Sequence, residues 1–321
     1  MSLLPKFLYP GPGYVLAATA LAFLLDAAYP FHRGVMLTIH PVHTSFVMAN
    51  RLYRPRGSVA RGVAIWASVM IAHLFAYSLV LYLAWLAGPL AWVIAAGYVI
   101  KTSASLRLLV DTVDGVGRAL RSGRLGDARE LAQGLVRRDL SHEDAGHIAS
   151  AAVESLAESL VDGFASPLLW LSLLGPLGAL AQRIANTLDG ALGYKDPDHA
   201  RVGLASAVAD TVMNYVPARL TALLIAVSSP LGGGGLRRSI KSWVECAGLT
   251  ESRNAGHPMS AIAGALGVVL EKRGHYALCP RFTRLPDARD VDTAVRIVIA
   301  AAALLAAITS ALTVAFWLLF R

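Results

Sequence analysis

Residues 61–101, RGVAIWASVMIAHLFAYSLVLYLAWLAGPLAWVIAAGYVIK, decide the class of this protein. Between Arg61 and Lys101 the stretch contains no Asp, Glu, Lys or Arg, and only Gly88-Pro89 interrupts it. A helix that crosses a bilayer needs about 20 apolar residues. Residues 62–100 are therefore predicted to form a transmembrane hairpin that turns at the Gly-Pro pair.

Two further runs without charged residues extend this interpretation. Residues 297–320, which Arg321 closes, are long enough for a C-terminal span. Residues 13–25 follow Pro10 and Pro12 and lead into Asp26 without a small-residue cleavage site. We predict an uncleaved span or signal anchor there.

The composition supports a membrane protein. The chain has 321 residues, 55% hydrophobic and 16% charged, whereas soluble domains contain about 25% charged residues. A soluble enzyme and a disordered protein are therefore both excluded. The net charge of +8 indicates contact with anionic lipid headgroups, an anionic substrate, or both. Cys246 and Cys279 are too few for a disulfide framework or a Cys-rich zinc site.

Two apolar segments contain residues that a lipid-facing helix does not tolerate. Residues 163–182 carry two prolines and several glycines, and residues 202–227 carry Asp210, Asn214, Pro217 and Arg219. A charge at membrane depth costs roughly 2.5–3.5 kcal/mol. Broken or re-entrant helices that line a polar cavity tolerate such residues, so these segments either cross the membrane or re-enter it.

The segments between the apolar runs predict the orientation of the chain in the membrane and the positions of further helices. Residues 31–61 hold five arginines and no acid, which predicts a cytoplasmic location. Residues 101–160 are predicted to form an extramembrane helical region, with a capping box of Ser141 and Asp144 opening its last helix. The prediction is an all-α, polytopic integral membrane protein, a single unit over residues 1–321. It has three to five membrane-spanning or re-entrant helices and a helical cytoplasmic region.

The first candidate site is an acidic stripe. Glu154, Glu158 and Asp162 follow one another at four-residue intervals, which stacks three carboxylates on one helix face. Like charges at this spacing destabilise a helix, so a cation should compensate them. Bound Mg²⁺ with phosphate oxygens is one solution, and a solvated acidic face is the alternative.

Polar residues also recur in two later segments. Asn186 and Asp189 share a helix face ahead of Tyr194, and Asp210 and Asn214 repeat the pairing before Arg219. These residues suit a metal–phosphate site with Arg219 as the bidentate phosphate donor. A capped turn at Asn186 and a buried structural pair of Asp210 with Arg219 are the alternatives.

A third cluster of polar residues runs from Asn254 to Lys272. A loop of Arg, Asn and Gly that leads into a small-residue helix can present N–H groups and positive charge to an anion, although an ordinary helix start explains it equally. Near the N-terminus, His40 and His43 are too few by themselves to indicate zinc.

In this order, the motifs resemble those of the adenosylcobinamide-phosphate synthase family, the CobD/CbiB membrane proteins of cobalamin biosynthesis. The motifs that carry the resemblance cover nearly the whole chain: His40-Pro41-Val42; Ala152–Glu158 with Val161-Asp162-Gly163 and Pro167; Asn186-Thr187-Leu188-Asp189 with Gly193-Tyr194; Asp210, Asn214 and Pro217-Ala218-Arg219-Leu220; Asn254-Ala255-Gly256 with Pro258-Met259, Gly264-Ala265-Leu266 and Leu270-Glu271-Lys272. The sequence departs from the family pattern around Asp26 and at Ser159, so the resemblance does not carry these two residues over as site residues.

The resemblance implies a carbon–nitrogen ligase of the cell membrane. Adenosylcobyric acid, a corrinoid, would be joined to (R)-1-aminopropan-2-ol phosphate at the expense of ATP, with Mg²⁺ as cofactor. It implies membrane lipids as partners and no nucleic acid, and it leaves open a homo-oligomer or association with other cobalamin-pathway membrane enzymes.

We assign roles to individual residues from their chemistry. The catalytic set is Glu154, Glu158, Asp162, Arg219 and Lys272; the metal ligands are Glu154, Glu158, Asp162 and Asp189; the substrate-binding set is His40, Asn186, Asp189, Tyr194, Asp210, Asn214 and Asn254. Arg219 and Lys272 would clamp phosphates, and the asparagines would orient them.

Two other functions remain as alternatives. A Mg²⁺-dependent transferase acting on lipid pyrophosphates predicts two closely matched acid-rich motifs, whereas the motifs here differ in form. A transporter would use the segments 163–182 and 202–227 as its substrate site and predicts pseudo-repeated halves, which the sequence does not display.

Overall fold

A computed structural model of the chain describes residues 5–320 and confirms the all-α prediction. Its α-helices are α1 (Pro12–Ala28), α2 (Val35–Thr38), α3 (Pro41–Leu52), α4 (Val59–Ala87), α5 (Pro89–Ser103), α6 (Arg107–Arg121), α7 (Leu125–Gln133), α8 (Ala145–Leu160), α9 (Ser166–Leu174), α10 (Pro176–Leu192), α11 (Leu204–Ser228), α12 (Leu236–Cys246), α13 (Gly256–Leu266) and α14 (Ala288–Phe320). A two-stranded antiparallel hairpin, β1 (Leu270–Lys272) and β2 (Tyr276–Leu278), interrupts them. The sequence had given no sign of these strands.

Four helical runs among residues 5–320 are long and apolar enough to cross a membrane. They are Val59–Ala87, Pro89–Arg121, Leu204–Ser228 and Ala288–Leu319. These runs confirm the predicted hairpin and the C-terminal span, although α14 begins nine residues before Ile297. Arg321 lies outside the described residues. The second run bends between α5 and α6, and Pro12–Ala28 is a shorter apolar helix.

The chain packs as two compact units. The first comprises residues up to Ser105, Asp162–Asn214 and residues from Ala307, and the second comprises Leu106–Val161 and Tyr215–Ala306. The single catalytic unit stays a prediction, and each unit is described by itself below.

The segment at 163–182 is not one continuous helix. A π-helical turn at Val161–Ala165 leads into α9, and the chain turns at Gly175-Pro176 into α10. Nine residues of α-helix span only about 14 Å, less than half of the roughly 30 Å hydrocarbon core. The helix α9 alone is therefore too short to cross, and re-entry of residues 163–182 stays a prediction. In contrast, α11 is long enough to span.

Two predicted features near α8 were wrong. The helix begins at Ala145, not at Ser141, because the Asp144 carboxylate accepts the His147 N–H at 3.0 Å, while Ser141 is bonded to Asp139. The helix also ends at Leu160, and the π turn that follows widens the backbone repeat. Asp162 therefore does not continue the α-helical stripe of Glu154 and Glu158.

In the first unit, a hydrophobic face fixes α10. Leu180, Ile184 and Leu188 recur every four residues and are fully buried, in one cluster with Val69 of α4 and Val99 of α5. Such spacing places them on a single helix face. The polar residues of α10 are consequently held on its other faces.

In the second unit, α12 and α13 approach closely at Gly264. A Cβ at this position would overlap the Ser242 hydroxyl and lie 2.5 Å from the Arg238 carbonyl oxygen. We expect Gly264→Ala to lower the free energy of unfolding by about 1–3 kcal/mol, the usual cost of overpacking. Thermal unfolding in detergent measures this loss.

The matched control is Gly126→Ala on α7, where a Cβ would meet nothing within 4 Å. This change should leave stability unaltered or raise it slightly, because Ala favours helix more than Gly does. Equal melting temperatures for the two variants would contradict the close packing.

A buried polar cluster as candidate functional site

The first unit contains a hydrogen-bonded polar cluster, defined as Asp162, Gln182, Arg183, Asn186, Asp210 and Asn214. The amide nitrogen of Asn214 donates to Asp162 Oδ1 at 3.0 Å and to Asp210 Oδ1 at 2.9 Å. Asn186 Nδ2 donates to the same Asp210 oxygen at 3.1 Å. One amide nitrogen thus holds two carboxylates together.

The remaining hydrogen bonds of the polar cluster fix the orientation of the two asparagine amide groups. Gln182 Nε2 donates to Asn214 Oδ1 at 3.0 Å, and Arg183 donates to Asn186 Oδ1 at 3.3 Å. Each asparagine oxygen is therefore used, so each asparagine must turn its NH₂ group toward a carboxylate. Arg183 also donates to the Asp162 carbonyl at 3.3 Å, which ties the π turn to α10.

Local sequence explains this geometry. Residues four apart share a helix face, which applies to Gln182 and Asn186 on α10 and to Asp210 and Asn214 on α11. Pro217 has no N–H, so it leaves the Met213 carbonyl without its helical partner.

Side chains of α9 supply that missing partner. Ser166 and Trp170 donate to the Met213 carbonyl at 3.3 and 3.1 Å. The proline thus anchors α9 against α11 beside the polar cluster.

The polar cluster combines opposite charges with neutral amides. Arg183 lies near both Asp162 and Asp210, and two N–H donors converge on Asp210 Oδ1. Arg183 is the basic residue whose charge acts on Asp210, whereas Arg219 donates to Tyr215 and Asn254.

Asp189 and Tyr194 lie at the end of α10. A Cβ built on Gly193 would overlap the Asp189 carboxylate, so only glycine fits beside it. Tyr194 is exposed, and its ring lies 5.1 Å from that of His199. The ligand roles of these two residues stay predictions.

Glu154 is the centre of a separate site in the second unit. Its side chain is 5% exposed and accepts hydrogen bonds from Ser150 and Tyr276, both at 2.7 Å. Arg138 forms an ion pair with it at 3.3 Å. These three partners hold the Glu154 carboxylate in one position.

The β-hairpin brings Tyr276 to this site. Glu271 N–H donates to Ser150 Oγ at 2.8 Å, and Lys272 pairs with Tyr276 across the strands. Burial and the nearby Glu154 and Glu158 charges raise the pKa of Tyr276, so its hydroxyl remains a donor. Lys272 is half-buried, and Glu158 is exposed one turn after Glu154.

Arg219 and Asn254 meet in the second unit, as the sequence had suggested for a phosphate clamp. Arg219 donates to Asn254 Oδ1 at 3.3 Å and to the Tyr215 carbonyl at 2.6 Å. Its guanidinium lies 3.5 Å from the centre of the Tyr215 ring. Stacking of this kind fixes the planar group. Nearby, burial and the Arg219 charge lower the pKa of His257, which accepts the Trp243 N–H at 2.8 Å.

The sites differ in the metal ligands that they can offer. Among residues 5–320, no group of three or more His, Cys, Asp and Glu side chains is arranged to hold a metal ion. The polar cluster offers instead the carboxylates of Asp162 and Asp210, which Asn214 holds together. Mg²⁺ commonly takes one or two carboxylates together with substrate phosphates, so this donor set fits it.

Sequence reasoning missed several residues that the structure places in these sites. They are Arg183, Arg138 and Tyr276. An arginine beside an apolar run was the available signal for Arg183, because such residues are rare within membrane segments. The others depend on contacts distant in sequence.

The fold and these sites together define the class of the protein. It is a polytopic helical membrane protein with carboxylates, amides and cationic side chains in its interior. The model of the CobD/Cbib protein family matches residues 19–317, nearly the whole chain. The chain therefore belongs to the CobD/Cbib family.

Individual relatives agree with this assignment. A protein of Aeropyrum pernix named "Probable cobalamin biosynthesis protein CobD" is 48% identical over 301 residues, which cover 94% of each chain. A protein of the same name from Thermoplasma acidophilum is 34% identical over 81% of this chain and 85% of its own. One from Methanocaldococcus jannaschii is 33% identical over 59% and 62%. No solved structure matches this chain.

Proposed function

We propose that this chain is the amide-forming ligase of cobalamin biosynthesis, located in the cell membrane. Its family and the names of its relatives support the pathway role. The reaction joins a propionate carboxyl group of adenosylcobyric acid to the amine of (R)-1-aminopropan-2-ol phosphate and consumes ATP. The observation that carries this proposal is the polar cluster, in which Asn214 holds Asp162 and Asp210 together beside Arg183.

The chemistry requires activation of a carboxylate. A carboxylate is a poor acyl donor, so its oxygen first attacks the terminal phosphorus of ATP, which gives an acyl phosphate and ADP. The amine then attacks the acyl carbon, the C–O bond breaks, phosphate leaves, and the nitrogen loses a proton. Charge builds up on phosphate oxygens in the first step, and preorganised groups of opposite charge lower that barrier.

The residues of this chain supply such groups. Asp162 and Asp210 would hold Mg²⁺, which neutralises phosphate charge when it is bound. Asn214 donates to both carboxylates and Asn186 to that of Asp210, and these bonds fix the carboxylates in position. In the second unit, Arg219 grips a phosphate with its planar fork, and Asn254 and Tyr215 hold that fork in place.

A reconstituted reaction tests this function. Purified protein in detergent is incubated with adenosylcobyric acid, aminopropanol phosphate and Mg-ATP, and the amide is detected by mass spectrometry. We expect product only when all three substrates are present, with one ADP formed per amide. ATP hydrolysis without amide, or no reaction at all, would reject the proposal.

Arg219→Lys separates phosphate binding from a structural role. Lysine keeps the charge but loses the bidentate fork and the stacking on Tyr215. We expect turnover per folded protein to fall about tenfold, which corresponds to about 1.4 kcal/mol of lost transition-state stabilisation. Rates are measured at saturating and at limiting concentrations of each phosphorylated substrate, Mg-ATP and aminopropanol phosphate.

The matched control is Arg237→Lys on the exposed surface of α12, which should keep full activity. If Arg219→Lys also kept full activity at both concentrations, Arg219 would be a structural cation.

A further inference from the structure

Lys101 lies in a buried cationic pocket of the first unit, defined here as Lys101, His32 and His40. The Lys101 side chain is 3% exposed, and its Nζ lies 3.2 Å from His32 Nδ1. The His32 and His40 rings are 4.5 Å apart. An ammonium group at membrane depth is costly and commonly marks a path or site for a substrate.

The hydrogen bonds show which groups of the pocket can donate. His40 Nδ1 accepts the Val42 N–H at 3.3 Å, which caps α3, so the ring proton of neutral His40 resides on Nε2. Lys101 Nζ lies 3.2 and 3.3 Å from the two ring nitrogens of His32 and donates a hydrogen bond to the one without a proton, while the other nitrogen of the neutral ring carries the N–H. The pocket thus presents N–H donors, which match an acceptor-only anion.

The charges around His40 agree with this orientation. Burial lowers the pKa of His40 to about 3, and His32, Lys101, Arg183 and His43 lower it further. His40 is therefore neutral near pH 7 and lies in a positive field, which favours a bound anion.

A carboxylate also lies near Lys101. Asp26 is 7% exposed and accepts a hydrogen bond from Ser105 at 2.6 Å, and it is the acidic group that acts on Lys101. The pocket therefore combines donors for a phosphate with a carboxylate for a cation. A phosphorylated amine carries the complementary pair of charges.

A mainly apolar cavity of about 500 Å³ lies near the pocket, although the three residues of the pocket do not line it. Its lining includes Ile39, which precedes His40, and Tyr98. The Tyr98 ring lies 6.4 Å from the His32 ring, and its buried hydroxyl has no hydrogen-bond partner among residues 5–320.

We propose that Lys101, His32 and His40 bind the phosphate group of the phosphorylated amine substrate, and that Asp26 faces its ammonium group. This inference rests on the proposed function for the identity of the substrate. One lysine and two neutral histidines match one phosphate dianion, whereas the triphosphate of ATP carries more charge than the pocket can neutralise.

Binding and kinetics of Lys101→Met test the pocket. Calorimetry on the full-length protein in detergent, with inorganic phosphate and with aminopropanol phosphate as probes, should show at least tenfold weaker binding of both. In turnover, the KM for aminopropanol phosphate should rise at least tenfold, while the KM for ATP changes less than twofold. Unphosphorylated aminopropanol should react equally with both proteins.

Lys241→Met is the control, because Lys241 is 67% exposed and its ion-pair partner is the surface residue Glu245. It should change neither Kd nor KM. Lys101→Met removes the cation next to Asp26 and could therefore disturb folding. Two further variants keep the test valid in that case. They are His40→Gln and the charge-balanced double change of Asp26→Asn with Lys101→Met. Both should bind inorganic phosphate at least tenfold more weakly.

The outcomes separate this inference from the proposed function. Unchanged phosphate affinity in the folded variants overturns the pocket, even if the wild-type protein forms amide. A wild-type protein that forms no amide but binds phosphate through Lys101 overturns the function and leaves the anion site standing. A rise in the KM for ATP alone would assign the pocket to the nucleotide and contradict the inference.

Discussion

Asp210→Asn is expected to abolish amide formation, with a loss of about 100-fold or more, the scale seen when a preorganised electrostatic group is removed. Asn keeps the shape and one oxygen that can accept from Asn186 and Asn214, so the fold should persist. The change removes one of the two carboxylates facing Arg183 and one ligand for Mg²⁺. Product formation per folded protein is the measurement.

The control for this variant is Asp127→Asn, an exposed acid whose partner is Arg124 at 2.7 Å. It should retain full activity, because exposed ion pairs contribute at most about 1 kcal/mol. Activity within twofold of wild type for Asp210→Asn would remove the polar cluster from the reaction.

Glu158→Gln is expected to have an effect of similar size. The side chain is exposed on α8, one turn after the buried Glu154, and its charge reaches Tyr276. Gln replaces the charge at nearly constant volume, so membrane insertion and the melting temperature should not change. We expect amide formation to become undetectable, because the change removes an exposed negative charge beside the buried Glu154.

Glu130→Gln on α7 is the matched change of an exposed helical acid outside the sites. This change should leave the rate of amide formation unaltered. If Glu158→Gln were equally silent, Glu158 would belong to the solvated face of α8, which was the alternative interpretation of the acidic stripe.

The membrane spans could be predicted because they depend on composition and length alone. Absence of charge between Arg61 and Lys101 is sufficient to predict α4 and α5. The polar residues of α10 and α11 could also be chosen, since Asp210 and Asn214 have few reasons to occur in an apolar helix. Their mutual contacts, however, depend on how two helices pack, which helical spacing within one segment does not determine.

The errors have identifiable physical causes. The α-helical stripe through Asp162 assumed one helix type, and the π turn at Val161–Ala165 changes the repeat. The capping-box prediction chose Ser141, although Asp144 provides the cap. Arg183 was overlooked because it directly follows an apolar segment, where a basic residue ordinarily marks the membrane boundary. Tyr276 could not be predicted as a partner of Glu154, because the two residues are distant in sequence and a short hairpin brings them into contact.

Oxygen-isotope transfer tests the central claim of ATP-driven amide formation most directly. Adenosylcobyric acid labelled with ¹⁸O in the reacting carboxyl group is supplied with aminopropanol phosphate and Mg-ATP, and the products are analysed by mass spectrometry. Activation as an acyl phosphate predicts one ¹⁸O atom in the phosphate released with each amide, and one retained in the amide. Unlabelled phosphate, label in AMP, or labelled acid recovered without any amide would contradict the account.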